Sequence, residues 1–592
     1  MPKLHPHQWR LPLLLLIGLI VFASGITWGL PSRATDVWLF GNRTPWTGRQ
    51  IVELAGGWEE RPDLGADVAL RPMARRDRVV NVNASDVQRA RIVRRYRLAS
   101  YQPDEISTLR ALAGMNPRQG RLDPRLYQYG GLWIYPVGAM LQAASKLGIV
   151  QVRADVAWYM DHPAAFGRFY VVARSYCVLW ALAGVIAVYL LVRQIVGGWA
   201  FPSAAALAFI LMPVVVNMAH EAKPHLPGAV LMLWAVWAGA RYIEKGSMRA
   251  ALAAGALCGA ALGMVLSCLP VFCVPPLMVL LRKNGGARRR AVVCFASLSI
   301  GAIAYLMTNP YIPINLLHNR AVLASSFGNN RAMYHPQLTA NGIATTGRLV
   351  AAGTSPLLAL AGIAGTIALG WRALRVRRNH EPAEIRRRAV GLLVAAPALG
   401  VVAQCVIVAT GKPGEFGRFL LMPDIVLMFE AIVALATFLP RQGCQFAATI
   451  TLLFTTAGSG LLYVRGFVRD SRPLTRRLEF ARQLKQLNDC GNKTLALYAE
   501  PAPYCMPPAD LFRWRLELLP SDSAPQEGVK IAGVSIQATD LPAPRLRESA
   551  PAALWRFLTA TPISWADKPF DLRVVHVRNA LGQRPEVHAK VQ

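Results

Sequence analysis

YGGLWIYPVGAMLQAASKLG, residues 129–148, decides the fold of this chain, because it reads either as a membrane span or as a helix lying at a membrane surface. Counting it as a span inverts the sidedness of every later segment. The run carries Gly130, Gly131, Pro136 and Gly138, which weaken a regular helix, and Lys146 near its end. Charge favours the surface reading. With the run outside the span count and the N-terminus in the cytoplasm, the short inner segments hold nineteen Lys and Arg residues. The outer segments between spans then hold four: Lys223, Arg320, Arg331 and Lys412. That asymmetry matches the positive-inside rule. The run is therefore expected as an interfacial or re-entrant helix on the outer side. The alternative makes it a span and residues 250–281 a single one, which leaves the basic cluster at 241–249 outside.

Composition agrees with a membrane protein. Of 592 residues, 54% are hydrophobic and 17% charged, with mean hydropathy +0.31. The net charge of +32 would suit a nucleic-acid binder, but much of the excess sits in short clusters between apolar runs, where it sets orientation. No nucleic-acid partner is expected. Apolar runs at 11–30, 168–192, 198–218, 226–243, 250–265, 268–281, 291–308, 348–371, 389–410, 418–439 and 445–464 make eleven expected spans. The first resembles a signal peptide, but no clear cleavage site follows it, so it is expected to stay as a span. The fold class is thus an α-helical polytopic membrane protein with a long first external loop at 31–147. Residues 1–464 are expected as the membrane domain and 465–592 as a small external α/β domain.

Chemistry is expected on the outer face. There Tyr101-Gln102-Pro103-Asp104-Glu105 places two adjacent carboxylates just after a proline, where a helix can begin. Acidic residues at a helix start also stabilise it through the macrodipole, by ~0.3–1 kcal/mol, without any catalysis. Tyr127, Tyr129, Trp133 and Tyr135 cluster shortly afterwards, as an interfacial aromatic belt or as a substrate shelf. The outer link His220-Glu221-Ala222-Lys223-Pro224-His225 offers cations for a phosphate. Its histidines are five apart, which does not put both on one helical face, and no third metal ligand accompanies them. A resident metal is not assigned, although a divalent ion stays open. Asp424 and Glu430, inside an apolar run, are expected to face the bundle or a wet cavity.

An Asp-Glu pair in the first external loop, followed by a Tyr/Pro segment opening an amphipathic helix, resembles the GT-C superfamily of membrane glycosyltransferases. Within it, the chain is similar to the protein O-mannosyltransferases and the lipid A aminoarabinose transferases. The matching positions are Asp104-Glu105 and Tyr129–Pro136; TNPYI at 308–312 resembles an Asn-Pro-Tyr element of bacterial relatives, and Glu500–Trp514 a stretch of their C-terminal domains. Two features depart from the pattern. About seventy residues separate the first span from Asp104, and the link after the third span reads Lys-Pro-His where relatives have an acidic residue, leaving Glu221 as the nearest substitute.

The resemblance implies an inverting transferase in a bacterial cytoplasmic membrane, with a polyprenyl-phosphate sugar as donor and a lipid, glycan or protein as acceptor. It assigns the general-base role to Asp104, with Glu105 in support. Tyr129, Tyr135, Glu221, Lys223, His225, Asn309, Tyr311, Arg331 and Arg418 are the candidate donor-binding residues, Lys223 foremost as the phosphate partner. Donor binding is expected to survive loss of either carboxylate, the phosphate contacts being placed on other residues. A transporter or an inactive assembly subunit are the rival classes. Cys490 and Cys505, alone in the polar C-terminal part, are expected to form a disulfide worth ~3 kcal/mol.

Overall fold

A computed structural model describes residues 9–57, 80–81, 85–282, 286–334, 338–375, 382–408, 414–472 and 476–488, together with short C-terminal stretches at 494–497, 508–518, 533–537 and 571–575 and the single residues 503, 554, 564 and 566. Cys490 and Cys505 lie outside these residues.

Helix α1 (Arg10–Ala23) opens the chain. The first long loop then folds into α2 (Asp36–Phe40), α3 (Gly48–Ala55), α4 (Asp86–Leu98), α5 (Glu105–Ala113), α6 (Gly131–Lys146) and α7 (Val156–Asp161). The apolar bundle follows as α8 (Pro163–Val196), α9 (Ala200–Leu211), α10 (Pro213–Ala219), α11 (His225–Lys245), α12 (Met248–Met264), α13 (Val274–Leu281) and α14 (Ala287–Thr308). After α15 (Tyr311–His318), α16 (Arg320–Tyr334) and α17 (Ala340–Thr354) it resumes with α18 (Pro356–Arg375), α19 (Pro382–Val408), α20 (Leu421–Phe438) and α21 (Gln442–Asp470). Among the described residues six helices are long and apolar enough to cross a membrane, or eight with two bent pairs counted as single spans. The chain is a multi-pass membrane protein. Helices α1, α12 and the stretch Leu266–Leu281 are apolar but shorter.

Three of the expected spans are interrupted. A bend of 58° separates α9 from α10, and Pro213 explains it by removing a helical donor. Residues Leu266–Cys273 form a 3₁₀ turn around Pro270 ahead of α13. The run expected to begin at 348 is divided at Ser355, whose φ of 108° turns the chain by 109° between α17 and α18. Pro356 starts the new helix, a position where its missing N–H costs nothing.

Helix α6 covers most of the deciding run. Its 16 residues reach ~24 Å, and α1 and the stretch Leu266–Leu281 have no more residues; unlike those, it is not among the short apolar helices. Gly130 and Gly131 do more here than weaken a helix. A Cβ at Gly130 would strike the Gly263 carbonyl, and one at Gly131 the Thr308 carbonyl. The amide of Gly130 donates to Met264 O at 2.9 Å and that of Gly131 to Asn309 Oδ1 at 2.8 Å. These two glycines let α6 start flush against the ends of α12 and α14.

Helix α8 has 34 residues and is ~51 Å long, so it outruns the hydrocarbon by ~20 Å. Counted back from Arg193 at its basic end, a ~30 Å crossing ends close to Arg174. The projecting part of α8 carries the first loop. There the Arg97 guanidinium, fully buried, is held by Asp36 through two bonds of 2.9 and 2.8 Å and donates to Met160 O at 2.6 Å. This ties α2, α4 and α7 into one platform.

The C-terminal stretches supply α22 (Arg476–Asn488) and four strands: β2 (Thr494–Leu497), β3 (Arg515–Leu518), β4 (Gly533–Gln537) and β5 (Asp571–Val575). They form one sheet in the order β1-β3-β2-β4-β5, whose edge strand β1 (Val80–Asn81) comes from the first loop and runs antiparallel to β3. Leu511 N donates to Leu39 O at 2.9 Å, and Phe512 packs on Phe40 and Trp46. The C-terminal residues are therefore docked onto the first loop by sheet pairing and by aromatic packing.

Candidate active site

The two adjacent carboxylates face opposite ways, and Gln102 is the reason. Its side-chain carbonyl accepts the backbone amides of Asp104 at 2.6 Å and Glu105 at 3.1 Å. Those amides open α5 and would otherwise call for a capping side chain. Asp104 is the N-cap residue yet makes no side-chain cap bond. Its carboxylate is left available for other partners.

Glu105 points into the protein. Arg174 grips it with Nε to Oε1 at 2.8 Å and Nη2 to Oε2 at 2.7 Å, both side chains being fully buried. Ser100 Oγ donates to Oε2 at 2.5 Å and the Ala222 amide to Oε1 at 2.7 Å, which fills the remaining acceptor directions. Arg174 Nη1 donates in turn to the carbonyls of Ile26 and Trp28, each at 2.7 Å, and the Trp28 indole donates to His220 O at 2.8 Å. Helix α8 also reaches the link 220–225 through Cys177, whose thiol donates to the carbonyls of Glu221 and Lys223 at 3.0 and 3.3 Å. Glu105 thus joins α5, α8, the link and, through Arg174, the turn after α1, and is closed off from the surface.

Asp104 faces the cations. Its Oδ2 receives Lys223 Nζ and Arg418 Nη1, each at 2.9 Å. The Asp104 side chain keeps 30% of its surface exposed, while those of Lys223 and Arg418 keep 1% and 7%. Burial raises the Asp104 carboxyl, but Lys223 and Arg418 outweigh it and hold the group well below the ordinary carboxylate range. Glu221 stands behind Lys223, with Oε2 3.4 Å from Nζ, and accepts from Gln102 Nε2 at 3.2 Å and Asn217 Nδ2 at 3.3 Å. Burial raises its pKa above the usual value against the opposing pull of Lys223. Arg418 arrives on a 3₁₀ turn, Gly414–Leu420, and Lys223 on the tight link that follows the break between α9 and α10.

The two histidines of the link part company. His220 stacks on Phe467, with ring centroids 4.2 Å apart, and its ring nitrogens meet the carbonyls of Val216 and Ser24 at 2.7 and 2.9 Å. Burial draws its pKa down to about 4. His225 lies edge-on to Tyr129 and Phe419, and its Nδ1 is buried without a hydrogen-bond partner among the described residues. Among the described residues no three His, Cys, Asp or Glu side chains gather as metal ligands.

Other candidates are engaged in scaffolding. The Asn309 carbonyl holds the Gly131 amide, and its amide nitrogen donates to Tyr305 O and Thr308 Oγ1 at 3.0 and 3.1 Å. Tyr135 Oη donates to Leu122 O at 3.2 Å. Tyr311 packs with Tyr127, Val322 and Leu323, beside a clamp in which Asp123 accepts from Tyr127 Oη and Asn315 Nδ2 at 2.9 and 2.8 Å. The side chain of Arg331 lies outside the described residues. Asp424 and Glu430 are both buried on α20, and neither Asp424 oxygen has a hydrogen-bond partner among the described residues. Sequence reading missed Gln102, Arg174 and Asn217. For Arg174 a signal existed, since a guanidinium within an apolar run requires a partner.

Residues 158–314 match the family model described as dolichyl-phosphate-mannose-protein mannosyltransferase. The match takes in Lys223 and the Asn-Pro-Tyr element and leaves Asp104 outside it. Among solved structures, apo ArnT from Cupriavidus metallidurans aligns with a TM-score of 0.41 and 16% identity, covering 71% of this chain and 80% of that one. The same protein bound to undecaprenyl phosphate gives 0.42 and 16%, over 70% and 80%. An Archaeoglobus fulgidus oligosaccharyltransferase, in complex with Zn and sulfate, gives 0.34 and 12%, over 73% and 59%. No curated protein matches the chain. In its central segment, then, the chain resembles the membrane mannosyltransferases.

Proposed function

We propose that this protein is an inverting membrane glycosyltransferase that draws its sugar from a polyprenyl phosphate and delivers it to a hydroxyl acceptor on the outer side of a bacterial cytoplasmic membrane. The observation that carries this reading is the partly exposed Asp104 carboxylate set beside two buried cations, Lys223 and Arg418. The match of residues 158–314 to a mannosyltransferase model supports it. So does the ligand named for one structural neighbour, undecaprenyl phosphate.

A transferase of this kind must do two things at one place. The acceptor oxygen attacks the anomeric carbon, forming a C–O bond as its proton passes to Asp104. The bond from that carbon to the phosphate oxygen breaks, and the leaving polyprenyl phosphate gains negative charge. Lys223 and Arg418 stabilise that growing charge in a water-poor setting, where fixed cations act more strongly than in bulk solvent. Attack opposite the departing phosphate inverts the anomeric centre. Purified protein in liposomes should transfer label from a polyprenyl-phosphate sugar to a membrane extract. A deletion strain with unaltered glycans and lipids, together with no binding of polyprenyl phosphate, would remove the reading.

We place eleven crossings in the membrane: the six helices long enough by themselves, the bent pair α9–α10 as one, α1, α12, the stretch Leu266–Leu281, and α18 alone after the turn at Ser355. The first loop, the link 220–225, α15 to α17 and the C-terminal residues then share the outer side. Alkaline-phosphatase fusions after residues 100, 330 and 500 should be active, and fusions near 286 and 380 inactive. Activity at 286 would invert the assignment and move the site to the cytoplasm.

A further inference from the structure

Asp104 is given contradictory tasks by its surroundings. A carboxylate oxygen bonded to two cations is a poor proton acceptor, since an opposite charge within ~4–6 Å favours the ionised form by 1–3 pKa units. Both cations also bind the same atom, Oδ2, so a single oxygen neutralises a buried ammonium and a buried guanidinium. An arriving phosphate would need those same donors. Lys223 and Arg418, the residues expected to meet the phosphate, are both ion-paired to Asp104 itself.

We propose that the Asp104 carboxylate is a placeholder in an anion seat formed by Lys223 and Arg418, and that the phosphate of a polyprenyl-phosphate ligand displaces it and thereby frees it to act as base. This rests on the reading of the protein as a polyprenyl-phosphate transferase. Three features make the exchange feasible. The Asp104 backbone is fixed by Gln102, so the carboxylate alone has to rotate. Its side chain is 30% exposed and has solvent to rotate into, whereas neither cation can follow it. His225, close enough to Lys223, Arg418 and Asp104 to feel their charges, has a buried Nδ1 without a partner among the described residues. Among the described residues, the charged and titratable groups facing Asp104 are Lys223, Arg418, His225 and, behind Lys223, Glu221. Without donor the base is masked; with donor bound, the cations hold phosphate and the carboxylate meets the acceptor. Binding then proceeds in a fixed order, donor before acceptor activation.

The test is binding of undecaprenyl phosphate to the full chain in nanodiscs at pH 7, with folding checked by thermal unfolding. Because hydrogen bonds to charged groups contribute ~1.5–3 kcal/mol, vacating the seat should tighten binding at least ~10-fold in Asp104→Asn, and likewise in Asp104→Ala. Glu221→Gln removes a charge near the same ammonium without vacating the seat, and should tighten binding less. Lys223→Gln should weaken it. Equal affinity in the wild type and both Asp104 variants would overturn the placeholder while leaving the phosphate site standing. Tightening in Glu221→Gln as large as in Asp104→Asn would reduce the effect to general repulsion and also overturn it. No binding by any form would remove the phosphate reading itself.

Discussion

Asp104→Asn protein, correctly inserted and saturated with donor and acceptor, should turn over at least ~10²-fold more slowly than the wild type, the usual scale for losing a general base. The substitution keeps the shape of the side chain and the Gln102 bonds to the backbone, so the loss would be chemical. Its sharpness comes from the opposite sign expected for donor affinity: a slower enzyme that holds polyprenyl phosphate more tightly. A damaged fold would lose both. Near-normal transfer by the variant would end the assignment of Asp104 as base. The pH profile carries the same logic. In the free protein Asp104 stays ionised far below neutrality, so kcat/KM should show no acid limb from this group between pH 5 and 8. A folded-state pKa below the unfolded one also stabilises the protein above the unfolded value and ceases to do so as pH falls through the folded one. Acid should therefore loosen the Asp104 cluster only at low pH.

What could be read from the chain followed the range of the forces involved. Hydropathy acts over contiguous segments, and it located the apolar helices. Pro103 followed by Asp104 and Glu105 announced the start of α5. The interruptions were harder because hydropathy runs straight through them; only Pro213, Pro270 and Pro356 mark the breaks, and each is also tolerated inside a membrane helix. Gly130 and Gly131 were legible as poor helix formers, but the carbonyls they admit belong to Gly263 and Thr308, more than a hundred residues away. The same distance hid the site. Arg418 meets Asp104 across 314 residues, and Lys223 reaches it only because the link 220–225 is pinned from α8 by Cys177 and from α5 by Glu105. Charge type identified Lys223 and Arg418 as suitable for phosphate. Nothing local in the chain could show that they are already occupied by a carboxylate.

Arg174→Met should cost the fold ~3–5 kcal/mol, because it strands the fully buried Glu105 carboxylate without its counterion. The same residue supplies donors to Ile26 O and Trp28 O, so the turn after α1 would loosen along with α5. Glu105→Gln should lose less, since its carbonyl oxygen still accepts from the Ala222 amide while its NH2 donates to the Ser100 hydroxyl, but it leaves the Arg174 charge without a counterion. Joining Glu105→Gln to Arg174→Met removes both charges and should recover part of the loss, the signature of a coupled buried pair. Thermal unfolding and folded yield in detergent measure this, and turnover per folded molecule measures the rest. If Glu105 only positions the base, turnover should fall much less in Glu105→Gln than in Asp104→Asn while the unfolding temperature falls more. An unchanged unfolding temperature with abolished turnover would reverse the roles and make Glu105 the base. The geometry argues against that reversal on simple grounds: four donors already occupy the Glu105 carboxylate, and the side chain has no surface from which to meet an acceptor.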